Sequence, residues 1–279
     1  MPERLRAWHR LRRNRAALVG LVIILVLVLA AVFAPLVAPY NPYAVTLAGR
    51  LQPPGNSHLL GTDELGRDIF SRLIFGARVE LWVGIITVAL SGLIGVSGGL
   101  LAGYLGGYWD AVIMRLVDVF LAFPVIVLAI AIVAVRGPGL NNVLIALALV
   151  YWTSYARVVR GLVLALREEE YTWAARTLGA SPLRIMIRHL LPNTLAPLLV
   201  LGSVGMGNAI LAEAALSFLG LGIQPPEASW GSMLNFGMQF LRNASFLSTW
   251  PGLAIFLTVL GFNLLGDGLR DALDPRMRT

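Results

Sequence analysis

The chain has 279 residues, of which 57% are hydrophobic and only 13% charged, with a formal net charge of +7. A mean hydropathy of +0.76 excludes an ordinary soluble domain, because so few charges cannot solubilise that much apolar surface. All 22 basic side chains are arginine and there is no cysteine, which excludes disulfides, thiolate metal sites and a nucleotide-binding P-loop with its phosphate-binding lysine.

Residues 1–15 form a basic tail, and the charge-free run 16–38 is read as a first transmembrane helix. It is too long for a signal-peptide core, and the small residues near its end, Ala34 and Ala38, are followed by Pro35 and Pro39. Residues 39–77 make a long outer connection rich in proline. Within it Thr62-Asp-Glu-Leu-Gly-Arg-Asp-Ile-Phe-Ser-Arg-Leu-Ile-Phe75 reads as an amphipathic helix with acids in its first turn, where they favour the helix dipole. Residues 78–270 form the core domain and 271–279 a C-terminal tail.

Further charge-free runs cover 81–109, 119–135, 137–156, 190–212 and 243–266, the second being at the short limit. About 20 apolar residues cross roughly 30 Å of hydrocarbon, so the fold class is an all-α integral membrane protein with six transmembrane helices. In the second span Gly95, Gly99, Gly103 and Gly107 recur every four residues, which predicts a face that a neighbouring helix approaches closely. Glu213 is the one acid well within the fifth apolar segment. A lone carboxylate there costs roughly 3 kcal/mol on insertion scales. It therefore lines a watery path, or else it sits near the outer boundary and pairs with a neighbouring helix. Residues 220–248 form an outer loop with Pro225-Pro226 and Trp230-Gly231.

Between the fourth and fifth spans, about residues 163–193, lies the longest strongly charged segment, Glu168 to Pro192. It reads as two short helices folded at a corner. Gly179 supplies the left-handed residue ending the first, Ser181 caps the second, Pro182 fits its first position and Pro192 stops it. Leu183, Met186, Ile187 and Leu190 then make one apolar stripe, with Arg184 and Arg188 on another face. So small a hairpin cannot bury its stripe alone. It packs on its own membrane domain or on a partner.

Sixteen arginines flank the termini, the hairpin and position 115, against six on the other side. The positive-inside rule puts both termini and the hairpin in the cytoplasm, and it accounts for the positive charge without nucleic acid. Gly95-Val-Ser97-Gly98 has the local form of an intramembrane serine protease motif, but His9, His58 and His189 all lie outside the spans, where no base could serve it. They are also too scattered to bind metal.

Several segments resemble the permease subunits of ATP-binding-cassette importers of the dipeptide, oligopeptide and nickel family, second permease type. These are His58-Leu-Leu-Gly-Thr-Asp-Glu-Leu-Gly-Arg-Asp-Ile-Phe-Ser-Arg-Leu73, Met114-Arg-Leu-Val-Asp-Val-Phe-Leu-Ala-Phe-Pro124, Leu216-Ser-Phe-Leu-Gly-Leu-Gly-Ile-Gln-Pro-Pro226 with Ser229-Trp-Gly231, and Phe262-Asn-Leu-Leu-Gly-Asp-Gly-Leu-Arg-Asp-Ala-Leu-Asp-Pro275. The cytoplasmic "EAA" loop of such importers is matched by Ala174-Ala175, Gly179 and Leu191-Pro192. Its glutamate position is Trp173 and its later isoleucine position His189, although Glu168 to Glu170 lie close by.

The resemblance implies a bacterial or archaeal inner-membrane location, pairing with a homologous permease, and an extracytoplasmic binding protein that delivers substrate. It also implies two ATPase subunits that bind ATP and magnesium, so that this chain holds no cofactor and catalyses nothing itself. The coupling loop, Glu170 to Pro192, would dock in an ATPase groove as a helix in a groove. Di- or oligopeptides are the substrates it suggests, with nickel chelates, glutathione or sugars as alternatives within the class. A stand-alone secondary transporter is the contrasting reading, but such proteins carry internal repeats and ionisable residues at the midplane, which are hard to find here. A membrane scaffold without transport is a third.

Overall fold

The computed structural model describes residues 14–273, which places the arginine tail, His9 and the residues after 273 outside the described part. Its secondary structure is helical, with one isolated bridge between Thr62 and Asp68 as the only β-pairing among the described residues. Helix α1 spans Arg15–Val32 and is capped by Asn14, whose Oδ1 accepts from Ala17 N–H at 3.1 Å. Helix α2 spans Ile69–Leu105, α3 Gly107–Leu121, α4 Val125–Arg136 and α5 Leu140–Leu166. A short helix α6, Glu170–Thr177, precedes the long helix α7, Pro182–Phe218, and then come α8, Trp230–Met238, and α9, Phe246–Leu273.

Five of these, α1, α2, α5, α7 and α9, are long and apolar enough to cross a membrane. The third run departs from the expected straight span. It is a pair, α3 and α4, bent by 90° at Ala122–Pro124, and it supplies a sixth crossing only if the pair is taken as one. Pro124 explains the break: it has no N–H to continue the helix, and its ring disfavours helical backbone at Phe123. At about 1.5 Å per residue the 12 residues of α4 reach only some 18 Å.

The second span starts earlier than its charge-free run. Residues 62–68 are not the first turns of an amphipathic helix but a tight knot, and α2 begins at Ile69 under the cap of Asp68, whose Oδ2 accepts from Ser71 N–H at 2.7 Å. Asp63 diverts the local donors. Its Oδ1 accepts from the N–H groups of Leu65 and Arg67 at 2.9 Å each, and its Oδ2 from Arg67 Nε at 2.6 Å. Gly61 and Gly66, at φ of 86° and 74°, make turns that helical backbone cannot. Arg72, 3% exposed, lies 3.5 Å from the same Asp63 oxygen and donates to Pro42 O at 3.1 Å, which pins the connection after α1 to α2.

Helices α2 and α5 share the most extensive seam, and three of the four spaced glycines lie in it. A methyl group on Gly99 would stand 2.6 Å from Ala156 O and 2.7 Å from Val159 Cβ, and one on Gly103 would stand 2.8 Å from Val163. Gly95 faces Trp152 and Tyr155 equally closely. Gly107 does not belong to this face. With Gly106 it takes positive φ (50° and 67°) at the corner between α2 and α3, and nothing lies within 4 Å of where its side chain would be. Helix α9 packs against α1, α7 and α8, and the hydrogen bond from Asn14 Nδ2 to Asp271 Oδ2 (3.2 Å) brings the start of α1 to the end of α9.

Candidate functional site

The turn between α5 and α7 is built from caps. Helix α5 closes at Arg167, which reaches across to Gly103 O (Nη1, 3.1 Å) and to its neighbour Glu168 (Nε, 2.9 Å). Thr172, fully buried, donates to Leu166 O at 2.9 Å and ties α6 back to α5. Glu170 stands in the first turn of α6 and Arg176 in its last, each at the end of the dipole that suits its charge. The Arg176 guanidinium also covers the rings of Trp173 at 5.0 Å and Tyr104 at 5.5 Å.

Gly179 then takes φ of 79°, and Ala180 N–H bonds back to Ala175 O at 3.1 Å, the long-range bond that closes a helix with a left-handed residue. Ser181 Oγ accepts from Arg184 N–H at 3.4 Å and caps α7, with Pro182 at its first position. Ala175 is buried while Ala174 is exposed.

Beyond Pro182 the structure departs from a helix halted by Pro192. The helix runs on through Pro192 to Phe218, because residues Met186–Leu190 form a π-turn. In that turn Leu191 N–H bonds to Met186 O, five residues back. The wider turn makes room for the proline ring, and a single extra residue in the ladder is how π-turns occur within α-helices.

The π-turn also splits the expected apolar stripe. Ile185, Met186 and Leu190 are buried against α2 and α5, and Ile185 and Leu190 are five apart, the spacing of a π-turn. Leu183 (63% exposed) and Ile187 are left outside, beside the exposed Arg184 and Arg188. Together with Ser181 these four line an open concavity of about 460 Å³. Leu178, 87% exposed, and Trp173 are also bare on the same turn, although neither belongs to the stripe that the sequence pattern marks. A methyl group on Gly179 would meet nothing else in the chain within 4 Å.

Glu213 is not exposed at the surface of the chain. It is wholly buried between α2, α7 and α8, and its Oε1 accepts from Ser217 Oγ at 2.5 Å and Ser229 Oγ at 3.1 Å. Its neighbour is Glu80 of α2, equally buried, whose Oε1 accepts from Trp230 N–H at 3.0 Å. The two carboxyls adjoin, and the Oε2 of each has no hydrogen-bond partner in the chain. Trp230 Nε1 adds a bond to Leu73 O at 3.0 Å, so the pair fastens α8 and the loop before it to α2. Sequence reasoning misses Glu80 because it directly precedes the apolar run. Among the described residues no three acidic or histidine side chains are grouped to hold a metal ion.

The chain is thus a bundle of five or six apolar spans with the short helix α6 and its capped turn between α5 and α7, and comparison with known proteins says to which family such a bundle belongs. Residues 95–279 match the family described as binding-protein-dependent transport system inner membrane component, and residues 5–54 match the N-terminal transmembrane domain of oligopeptide transport permease C. The chain belongs to that family: it is a multi-pass inner-membrane permease of the ATP-binding-cassette importer class.

Among its relatives, the dipeptide transport system permease protein DppC of Alkalihalophilus pseudofirmus is 48% identical over 273 residues, 98% of this chain and 90% of that protein. DppC of Haemophilus influenzae is 44% identical over 277 residues, 97% of this chain and 94% of that protein. The glutathione transport system permease protein GsiD of Escherichia coli is 46% identical over 272 residues, 97% of this chain and 90% of that protein. The permease fold also matches an inward-facing structure of the MetNI methionine transporter, at a TM-score of 0.58 and 21% identity over 74% of this chain and 98% of that one.

Proposed function

We propose that this chain carries di- or oligopeptides inward as one of two homologous permeases enclosing a path, driven by two ATPase subunits and supplied by an extracytoplasmic binding protein. The observation that carries the coupling half of this reading is the bare crest of Leu178, Leu183 and Ile187 flanked by Arg184 and Arg188. Their own bundle leaves these side chains uncovered while burying Ile185, Met186 and Leu190, so the crest is free for a groove on another subunit. Glu170, Ala174, Ala175, Gly179, Ser181, Pro182 and Pro192 shape and aim that crest. The dipeptide relatives at 44–48% identity support the substrate class. Glutathione is the second reading, supported by the relative at 46%.

The topology in this reading is six spans, α3 and α4 forming one, with both termini and the coupling turn in the cytoplasm. The Asn14–Asp271 hydrogen bond supports it by bringing the first and last helix ends together on one face. A reporter fused after Thr279 checks this, and activity on the outer side overturns it.

Gly179→Asp tests the coupling. The left-handed backbone there costs a side chain about 1–2 kcal/mol, and no contact inside the chain is broken. Permease abundance should therefore hold while ATPase retention and peptide uptake are lost. Normal retention with normal uptake would exclude docking at this turn.

A further inference from the structure

Halfway through the bundle, α2, α5 and α7 enclose a cavity of about 80 Å³. Thr87 and Ser91 of α2, Tyr151, Ser154 and Tyr155 of α5, and Asn208 of α7 supply its polar lining, and none of its lining residues is charged. Two of these groups are costly where they stand. The Thr87 hydroxyl, on a residue 1% exposed, and the Tyr155 hydroxyl, on a residue 5% exposed, find no hydrogen-bond partner in the chain. An unpaired buried hydroxyl costs on the order of 1–3 kcal/mol, so something outside the chain must answer them. Gly205 keeps the space open, since a methyl there would stand 2.9 Å from the Tyr155 oxygen.

The cavity also opens at the surface of the chain. Ser154 and Asn208 are exposed although both lie deep within apolar helices. Polar side chains at that depth face a bundle interior or a watery cavity, not lipid. Val88 and Tyr155 are shared with a larger apolar groove of about 680 Å³, which runs between α2 and α7 down to Leu183 and Ile187 of the coupling turn. The polar chamber and the apolar groove thus adjoin, and the groove reaches Leu183 and Ile187 of the crest.

We infer that the Thr87, Tyr155, Ser154 and Asn208 chamber is a transit subsite for the main-chain amide groups of a short peptide. The inference rests on the permease reading above. Hydroxyls and a carboxamide both donate and accept, which matches a peptide group's C=O and N–H. The absence of charge from the lining fits a substrate whose side chains vary, and it keeps binding weak enough for release, as conduction through a multi-site path requires.

The chain's lack of cysteine makes the test direct. Ser154→Cys and, as a control, Val26→Cys on the outward face of α1 are assembled with the partner permease and ATPases in nanodiscs. Each is treated with 2-sulfonatoethyl methanethiosulfonate, and modification of this chain is followed by mass spectrometry. Ser154→Cys should react at least tenfold faster than Val26→Cys. Dialanine at millimolar concentration should slow it severalfold while sucrose does not, and adding Tyr155→Phe should reduce the protection. A Ser154→Cys thiol as inert as the control overturns the inference. So does a thiol that dialanine protects no better than sucrose, or protection that Tyr155→Phe leaves unchanged. Dialanine uptake by the unmodified complex, measured separately, reports on the importer reading alone.

Discussion

Gly98 and Gly99 are neighbours in α2, and the structure assigns them opposite tolerance to the same methyl group. Gly99→Ala puts a carbon 2.6 Å from Ala156 O, 2.7 Å from Val159 Cβ and 3.1 Å from Arg160 N. Carbon contacts settle near 3.5–4.0 Å, so α2 and α5 must part locally by about 1 Å. A radial gap of 0.5–1 Å forfeits roughly a quarter to a half of each dispersion contact beside it. Gly95 and Gly103 lie in the same seam, so the loss is shared over several turns. Overpacking of this kind costs about 1–3 kcal/mol, and about 2 kcal/mol is the central figure. Gly98→Ala meets only Ile113 Cγ2 at 3.6 Å and Trp152 Cζ3 at 3.7 Å, ordinary contacts, and alanine is the better helix former by about 1 kcal/mol. Thermal loss of the monodisperse complex, followed by size-exclusion chromatography, should shift down by roughly 4–8 °C for Gly99→Ala. It should not move down for Gly98→Ala. Equal midpoints for the two variants would refute the close-seam argument.

The buried pair predicts that Glu80→Gln, whose carbonyl can still accept from Trp230 N–H and whose amide can donate to Glu213, preserves expression and assembly. Glu80→Leu leaves the buried Trp230 N–H without its acceptor, costs about 1–3 kcal/mol, and should cut the yield of folded permease; unchanged yield would show that the pair fastens nothing. At the coupling turn Ile185→Asp should destabilise the permease itself, since Ile185 is fully buried. Leu183→Asp should leave its abundance intact and release the ATPases, as co-purification would report; equal effects at the two positions would contradict the split stripe. In the knot before α2, Asp63→Asn removes the carboxylate beside two buried arginines, Arg67 and Arg72. A loss of about 3 kcal/mol or more is expected, read as increased proteolysis of the connection between α1 and α2.

Hydropathy makes the apolar spans legible because lipid exposure demands nothing subtler than a long apolar run. The turn at Gly179 is legible for a related reason: left-handed backbone, a serine cap and a proline at the first helical position each leave a local residue signature. What stays hidden are features whose partner lies far along the chain. Arg78 and Glu80 look like the edge of a span, yet both lie within α2. Arg78 is answered by Ala31 O and Val32 O at 2.6 and 3.2 Å, and Glu80 by Trp230 150 residues away. Pro192 looks like a stop because a proline's cost in a regular helix is local, whereas its relief, the π-turn at Met186–Leu190, is not written in any residue type. The stripe at 183, 186, 187 and 190 fails for the same reason, since its spacing presumes an unbroken 3.6-residue period.

The unbroken course of α7 has a mechanical consequence. Its 37 residues make a rod of roughly 55 Å at 1.5 Å per residue, with Pro182 at the coupling end and Phe218 against the loop before α8. A tilt of about 5° about the rod's middle would carry each tip roughly 2.4 Å, more than a bond length at both faces of the membrane at once. The rod is not uniformly stiff. The π-turn and Pro197 both fall in its first half, where the hydrogen-bond ladder is weakest. Compliance is thus concentrated towards the Pro182 end, and the stretch bearing Asn208 and Glu213 keeps an uninterrupted ladder.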